Sequence, residues 1–174
     1  LLNTSEENDF KATVEDFEKA LSQKTKAIVI NSPSNPTGMV YTEEELRAIA
    51  DVCVENNIYV ISDEIYEHLI YEGEHISIAS FNEKIKDLTI VINGVSKTYA
   101  MTGWRIGFAA ANDEIAKIMS NLQSHAASNP NSIAQAATVA ALEGGLGEVE
   151  IMKEHFAKRR DFMVKTINSI DGLS

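Results

Sequence analysis

The sequence predicts an α/β fold: a mostly parallel sheet with one antiparallel strand, flanked by helices. In the first part of the chain, short runs rich in β-branched residues alternate with a segment of helical periodicity, which is typical of parallel strands joined by a crossover. The third and fourth predicted strands are instead joined by residues 94–104, which show no obvious helical pattern. Because a parallel return normally needs a helix-sized crossover, the fourth strand is predicted to run antiparallel.

The individual elements follow from periodicity and from capping signals. The predicted strands are residues 26–31, 58–62, 88–93 and 105–110. Thr42, followed three residues later by Glu45, forms a capping-box pattern, and Thr13 and Asn112 are residue types that favour a helix start. The predicted helices are residues 13–22, 42–55, 113–125, 132–142 and 147–170. The last of these is long enough to leave the sheet and lead into another domain.

Composition excludes several classes of function. The formal net charge of −11 argues against a nucleic-acid partner, because such surfaces normally need a basic patch. No apolar run approaches the roughly 20 residues that span a bilayer, and the first residues lack the pattern of a secretory signal, so no membrane partner is expected. The single cysteine, Cys53, cannot form an internal disulfide, which fits a reducing, cytoplasmic location.

Four polar residues lie where the predicted strands meet one edge of the sheet. Asn35 follows the first strand, Asp63 ends the second, and Lys97 lies just beyond the third. Arg105 opens the antiparallel strand, which returns it to the same edge. Ligands of open parallel sheets bind at the carboxyl ends of the strands, so this convergence predicts a binding site.

Three motifs carry a resemblance to a known family. Residues 93–108, which contain Lys97 and end in Met-Thr-Gly-Trp-Arg-Ile-Gly-Phe, closely resemble the active-site lysine segment of the fold-type-I aminotransferases of classes I and II. Asn-Pro-Thr-Gly at 35–38 and Ser-Asp-Glu-Ile-Tyr at 62–66 resemble two further motifs of that family, in the same order and spacing. The likeness is greatest to bacterial aspartate aminotransferases.

The resemblance implies a cofactor, pyridoxal 5′-phosphate (PLP), and a role for each matching residue. It implies that Lys97 is the catalytic residue that holds PLP as a Schiff base and moves the substrate's proton. Asp63 would pair with the pyridine nitrogen, and Asn35 and Tyr66 would hydrogen-bond the phenolic oxygen. Arg105 would bind the phosphate, because its planar fork matches two phosphate oxygens.

The resemblance also implies a function. We expect a PLP-dependent transaminase that moves an amino group between an amino acid, foremost aspartate, and a 2-oxo acid such as 2-oxoglutarate. The alternatives are an aromatic or other aminotransferase, a C–S β-lyase, and a catalytically inactive fragment. Members of the family are usually homodimers, so a homodimer is implied for the complete protein. No metal is expected, because the four histidines show no ligand spacing and are expected at the surface.

The resemblance finally implies a division of the chain. Residues 1–145 would form the C-terminal part of the large PLP-binding domain, and residues 146–174 a long helix leading into a small domain. We expect the chain to be an internal piece of a longer protein, inactive by itself, because the family's substrate-carboxylate arginine and the first strands of its sheet have no counterpart here. One position departs from the family, where many members have serine or threonine three residues before the lysine. Gly94 stands there, so Ser96 or a backbone amide is a candidate replacement.

Overall fold

The computed structural model describes residues 2–173 and contains one four-stranded sheet in that range. The strands are β1 (Ala27–Asn31), β2 (Tyr59–Asp63), β3 (Thr89–Gly94) and β4 (Gly107–Ala110), and they lie side by side in chain order. β1, β2 and β3 run parallel, whereas β4 pairs antiparallel with β3. The predicted fold class and the predicted direction of the fourth strand are both confirmed.

Six α-helices accompany the sheet within the described residues. They are α1 (Val14–Ala20), α2 (Glu43–Asn56), α3 (Glu83–Leu88), α4 (Asp113–Ala126), α5 (Ser132–Glu143) and α6 (Gly147–Ile167). Thr42 and Glu45 form the predicted capping box of α2, and Thr13 caps α1 in the same way. The sequence did not predict α3, because its six residues are too few to display a helical period.

The main core lies on one face of the sheet. Ile28, Ile30 and Val60 point to this face, where they pack with buried side chains of α1, α2 and α3. Cys53 of α2 is fully buried among them. Burial raises the pKa of the Cys53 thiol to about 12, because the thiolate is disfavoured away from water.

The opposite face of the sheet remains largely open. Side chains alternate along each strand, so Val29, Tyr59 and Ile92 point away from the main core. Val29 is 68% exposed, and Tyr59 and Ile92 are each about two-fifths exposed. Asp63 belongs to this face by register, because it is aligned with Ile92 and lies two residues after Ile61. The carboxylate predicted to bind a cofactor therefore projects from the open face.

A second, smaller core holds the segment between β3 and β4. Val95 and Ile106, at the two ends of this segment, are buried together with Ala134 of α5, and Tyr99 packs against them. This packing fixes residues 95–106 at the carboxyl ends of the parallel strands. In residues 2–173, no helix combines the length and the apolar character needed to cross a membrane.

Candidate active site

The predicted convergence begins at the ends of β1 and β2. Asn31 is aligned with Asp63, and its Nδ2 donates to the Asp63 carbonyl oxygen at 3.2 Å. The Asn31 Oδ1 atom in turn accepts the backbone N–H of Asn35 at 2.9 Å. One strand-end amide thus joins the neighbouring strand to the loop that carries Asn35.

Three of the predicted site residues are brought together around one aromatic ring. The Nδ2 atom of Asn35 donates to the Tyr66 hydroxyl at 3.1 Å. The Nζ atom of Lys97 lies over the Tyr66 ring, 5.4 Å from its centroid. These side chains come from three separate loops, each following a different strand.

Asp63 lies at the last position of β2 and is half-buried. Its Oδ1 atom accepts the backbone N–H of Ile65 at 3.2 Å, which directs the carboxylate along the start of the following turn. That turn continues to Tyr66, so the carboxylate and the phenol are presented by one short stretch of backbone. A carboxylate with so few protein donors keeps acceptor capacity for a ligand.

Arg105 lies at the same end of the sheet but is exposed. Its Nη1 atom donates to the Thr102 carbonyl oxygen at 2.9 Å, and its backbone has φ of 55°. A non-glycine residue in this left-handed region is uncommon and costs of order 1 kcal/mol, and such residues cluster at functional sites. The conformation could not be anticipated from the sequence, since arginine has no preference for it.

A cavity of about 700 Å³ opens beside the lysine. Lys97, Tyr66, Ser34 and Ser96 supply polar groups to its lining. The rest of the wall is largely apolar and includes Leu69, Ile70, Met152 and Phe156. Asn35, Asp63 and Arg105 lie outside this lining, so the cavity contains only two of the five predicted residues.

Helix α6 forms one wall of the cavity, a position that the sequence did not predict. Met152, Phe156 and Arg160 are spaced four residues apart and therefore share one face of the helix. The Arg160 guanidinium lies 4.9 Å from the centroid of the Tyr71 ring and 3.7 Å from Glu72. The i, i+4, i+8 spacing was visible in the sequence, but nothing in it indicated what this face contacts.

A buried carboxylate lies directly after Asp63. Glu64 is 3% exposed and accepts hydrogen bonds from Ser62 Oγ at 2.8 Å, Ser77 Oγ at 2.7 Å and His75 Nε2 at 2.9 Å. Burial acts to raise the pKa of Glu64, but the hydrogen bonds from His75, Ser77 and Ser62 outweigh it and leave this pKa below its ordinary value. Glu64 is therefore an anion at neutral pH.

The expectation that all four histidines lie at the surface is wrong for His75. Its side chain is only 13% exposed, because it turns inward to meet Glu64. Ligand atoms of Glu64, Glu67 and His75 lie within 4.8 Å of one another. Both Glu64 oxygens already accept protein hydrogen bonds, and Glu67 Oε1 accepts one from Asn93 Nδ2 at 2.7 Å. The buried Nδ1 atom of His75, by contrast, has no hydrogen-bond partner among the described residues.

The structure explains the glycine that departs from the family's pattern. Gly94 is buried opposite Gly107 of β4, and a Cβ atom at position 94 would lie 2.9 Å from the Ile106 carbonyl oxygen and 3.0 Å from the Gly107 Cα atom. Both contacts are with backbone, which cannot easily give way. A side chain at position 94 would therefore require β4 to shift, and Ser96 is one of the hydroxyl groups that line the cavity beside Lys97.

Comparison with known proteins decides the family. The sequence profile described as aminotransferase class I and II matches residues 2–174. The chain belongs to this family. It is 52% identical over 170 residues to the aspartate aminotransferase of Bacillus subtilis (strain 168), an alignment that covers 97% of this chain and 43% of that protein.

Solved structures of the class I and II aminotransferases agree with the fold. The aspartate aminotransferase from Thermus thermophilus with maleate matches with a TM-score of 0.92 and 42% identity, over 97% of this chain and 44% of that chain. The aromatic aminotransferase from Pyrococcus horikoshii OT3 matches with a TM-score of 0.91 and 44% identity, over 96% of this chain and 45% of that chain. The chain thus spans less than half the length of the relatives it matches.

Proposed function

We propose that the complete protein carrying this chain is a PLP-dependent transaminase that moves an amino group between aspartate and a 2-oxo acid such as 2-oxoglutarate. The observation that carries the proposal is the meeting of Lys97, Tyr66 and Asn35 at the carboxyl ends of three parallel strands. Similarity to proteins named aspartate aminotransferase supports the choice of substrate.

The residues present fit the cofactor chemically. A primary amine, a carboxylate with free acceptor capacity, a hydrogen-bonded amide and phenol, and a guanidinium match the aldehyde, pyridine nitrogen, phenolic oxygen and phosphate of PLP. We therefore propose that Lys97, Asp63, Asn35, Tyr66 and Arg105 hold PLP. When bound, PLP supplies an electron sink that stabilises negative charge at the substrate Cα atom.

Each residue then has a distinct task. Lys97 Nζ must be deprotonated to attack a carbonyl carbon, and in the substrate complex it takes the proton from Cα. Asp63 holds a proton on the pyridine nitrogen, which strengthens electron withdrawal by the ring. Asn35 and Tyr66 donate to the phenolic oxygen and orient the ring. The guanidinium of Arg105 binds the phosphate and so holds the cofactor in position beside Lys97.

We further propose that residues 1–145 belong to the large cofactor-binding domain and residues 146–174 to a helix that leads into a second domain. A cytoplasmic homodimer fits the family and the single buried cysteine. The amino-acid and 2-oxo-acid substrates would also contact parts of the protein outside this chain.

An aromatic aminotransferase is the second candidate. Leu69, Ile70, Met152 and Phe156 give the cavity beside Lys97 an apolar part, which suits an aromatic or aliphatic side chain. The similar structure named as an aromatic aminotransferase shows that this fold accommodates such an enzyme. Comparing kcat/KM for aspartate and phenylalanine separates the two candidates.

The test is covalent labelling of the complete protein. After addition of PLP and reduction with borohydride, peptide mapping is expected to place the cofactor on Lys97. Lys97→Ala is expected to abolish labelling and transamination, whereas Lys84→Ala, at an exposed lysine on α3, is expected to change neither. Labelling of another lysine in the wild-type protein would refute the assignment of Lys97.

A further inference from the structure

The Glu64 cluster suggests a role that the proposed cofactor contacts do not include. Burying a carboxylate costs several kcal/mol unless the charge is fully hydrogen-bonded, so an arrangement of this kind must be compensated by its contacts. Here a strand residue, Ser62, and two residues after the following loop, His75 and Ser77, all donate to Glu64. The carboxylate is thereby held in one orientation.

Glu64 also fixes the backbone on which Asp63 and Tyr66 stand. Its N–H donates to the Ile92 carbonyl oxygen at 2.9 Å, which extends the β2–β3 pairing one residue beyond Asp63. Its own carbonyl oxygen accepts the N–H of Glu67 at 2.9 Å, which closes the turn containing Tyr66. A shift of the Glu64 backbone is therefore expected to move Asp63 and Tyr66 as well.

The same carboxylate closes a larger loop. Residues 65–74 leave from Glu64, and His75 and Ser77 bring the chain back to it. This loop carries Tyr66, Leu69 and Tyr71 into the lining of the cavity beside Lys97. Both ends of the loop are thus held by contacts with the buried Glu64 carboxylate.

We propose that Glu64, held by His75 and the two serines, is a positioning residue that orients Asp63 and Tyr66 toward the cofactor. The inference rests on the proposed function. Glu64 does not face the cavity and acts only through its neighbours. The neutral amide of glutamine at this position would keep the volume but lose the charge and the oxygen that meets His75. His75 could then keep this hydrogen bond only by moving its ring proton to Nδ1, a buried atom that has no partner among the described residues.

The experiment uses the complete protein with the variants Glu64→Gln, His75→Ala and His75→Gln, and Glu74→Gln as the control. Glu74 is exposed and lies in the same loop, and its replacement causes the same loss of charge. Glutamine at position 75 retains a donor for Glu64, so His75→Gln is expected to restore what His75→Ala loses.

The first measurement is made without PLP. Amide hydrogen exchange in residues 65–74 is expected to become about tenfold faster in Glu64→Gln and His75→Ala, because a hydrogen bond to a charged group is lost at the base of the loop. The control is expected to exchange at the wild-type rate. Circular dichroism establishes that each variant is folded, and if Glu64→Gln does not fold, the two His75 variants decide the question.

The second measurement follows the absorbance of bound PLP as a function of pH. A displaced Asp63 or Tyr66 is expected to move the midpoint of this titration by roughly half a pH unit or more, and to lower kcat about tenfold with little change in KM. A wild-type protein that binds no PLP overturns the proposed function and this inference with it. A wild-type protein that binds PLP, with loop exchange and midpoint unchanged in the folded variants, overturns this inference alone.

Discussion

At the scale of single residues, Gly94 shows how the backbone geometry requires one particular amino acid. It ends β3 directly opposite Gly107, and the two backbones are too close for a Cβ atom at position 94. Because Lys97 follows three residues later, this contact also sets where the lysine segment leaves the sheet. The glycine is thus a packing requirement of this chain, and Ser96 or a backbone amide remains the predicted replacement for the missing hydroxyl.

We predict that Gly94→Ala lowers the free energy of unfolding by about 2 kcal/mol, because the added methyl group meets backbone atoms of β4. Urea denaturation measures the change. Gly103→Ala is the matched control, since a Cβ atom there has open space and its replacement should change stability by less than about 0.5 kcal/mol. Equal stability of the two variants would contradict the close approach of β3 and β4.

Cys53 permits a pH-dependent prediction at the same scale. Its folded pKa is raised to about 12 by burial, so the thiol should resist alkylation in the native protein and react readily in urea. The pKa of the Cys53 thiol is thus higher in the folded protein than in the unfolded chain, where it is near 8.5. The buried thiol therefore makes its full contribution to the free energy of unfolding below about pH 8.5. This contribution is lost as the pH rises toward 12. Cys53→Ser is the control, and rapid labelling of native protein would contradict the burial.

At the scale of elements, α6 contacts both the cavity beside Lys97 and the loop that follows β2. Its Met152–Phe156–Arg160 face closes the cavity, and Arg160 contacts the loop residues Tyr71 and Glu72. The ion pair with Glu72 is exposed, so the stacking of the guanidinium on Tyr71 is expected to provide most of the interaction. Loop and helix should therefore open together.

We predict that Arg160→Ala increases hydrogen exchange in α6 and in residues 69–72 by roughly fivefold, corresponding to about 1 kcal/mol of lost local stability. Arg159→Ala is the control, because the Arg159 guanidinium lies 5.8 Å from the ring of Phe156 on its own helix. A similar increase in both variants would show that Arg160 does not tie the helix to the loop.

At the scale of the whole molecule, many large apolar side chains are exposed to solvent. Val29, Tyr59 and Ile92 are exposed on the open face of the sheet, and Ile118 and Leu122 of α4 are more than half exposed. β1 is also an edge strand in the described sheet, with backbone groups available for pairing. Large exposed apolar side chains on an open sheet face and an unpaired strand edge favour association with another chain.

We predict that the 174-residue chain by itself self-associates at micromolar concentrations, as measured by sedimentation velocity. Val29→Lys, which places a charge on the open sheet face, is expected to weaken the association. Asn129→Lys makes the same change of charge in an exposed loop and should leave the association unaltered. A monodisperse monomer with a cooperative unfolding transition would contradict the prediction.

Local sequence signals determined where several helices and strands of this protein form. The capping box at Thr42 and Glu45 located α2, and the run of β-branched residues at 26–31 located β1, because both signals act over a few residues. The missing crossover helix between residues 94 and 104 correctly predicted the antiparallel β4. The order of the motifs around Asn35, Asp63 and Lys97 indicated the family, which the comparison of the whole chain confirmed.

Tertiary structure alone decided which side chains meet. The cavity joins Lys97 to Met152 and Phe156, more than fifty residues away, and no local pattern encodes such a contact. His75 turned inward because a buried carboxylate at Glu64 needed a donor, a requirement that arises only once β2 is packed. Short-range preferences thus determined the elements, and long-range packing and the hydrogen-bond needs of buried groups determined the site's surroundings.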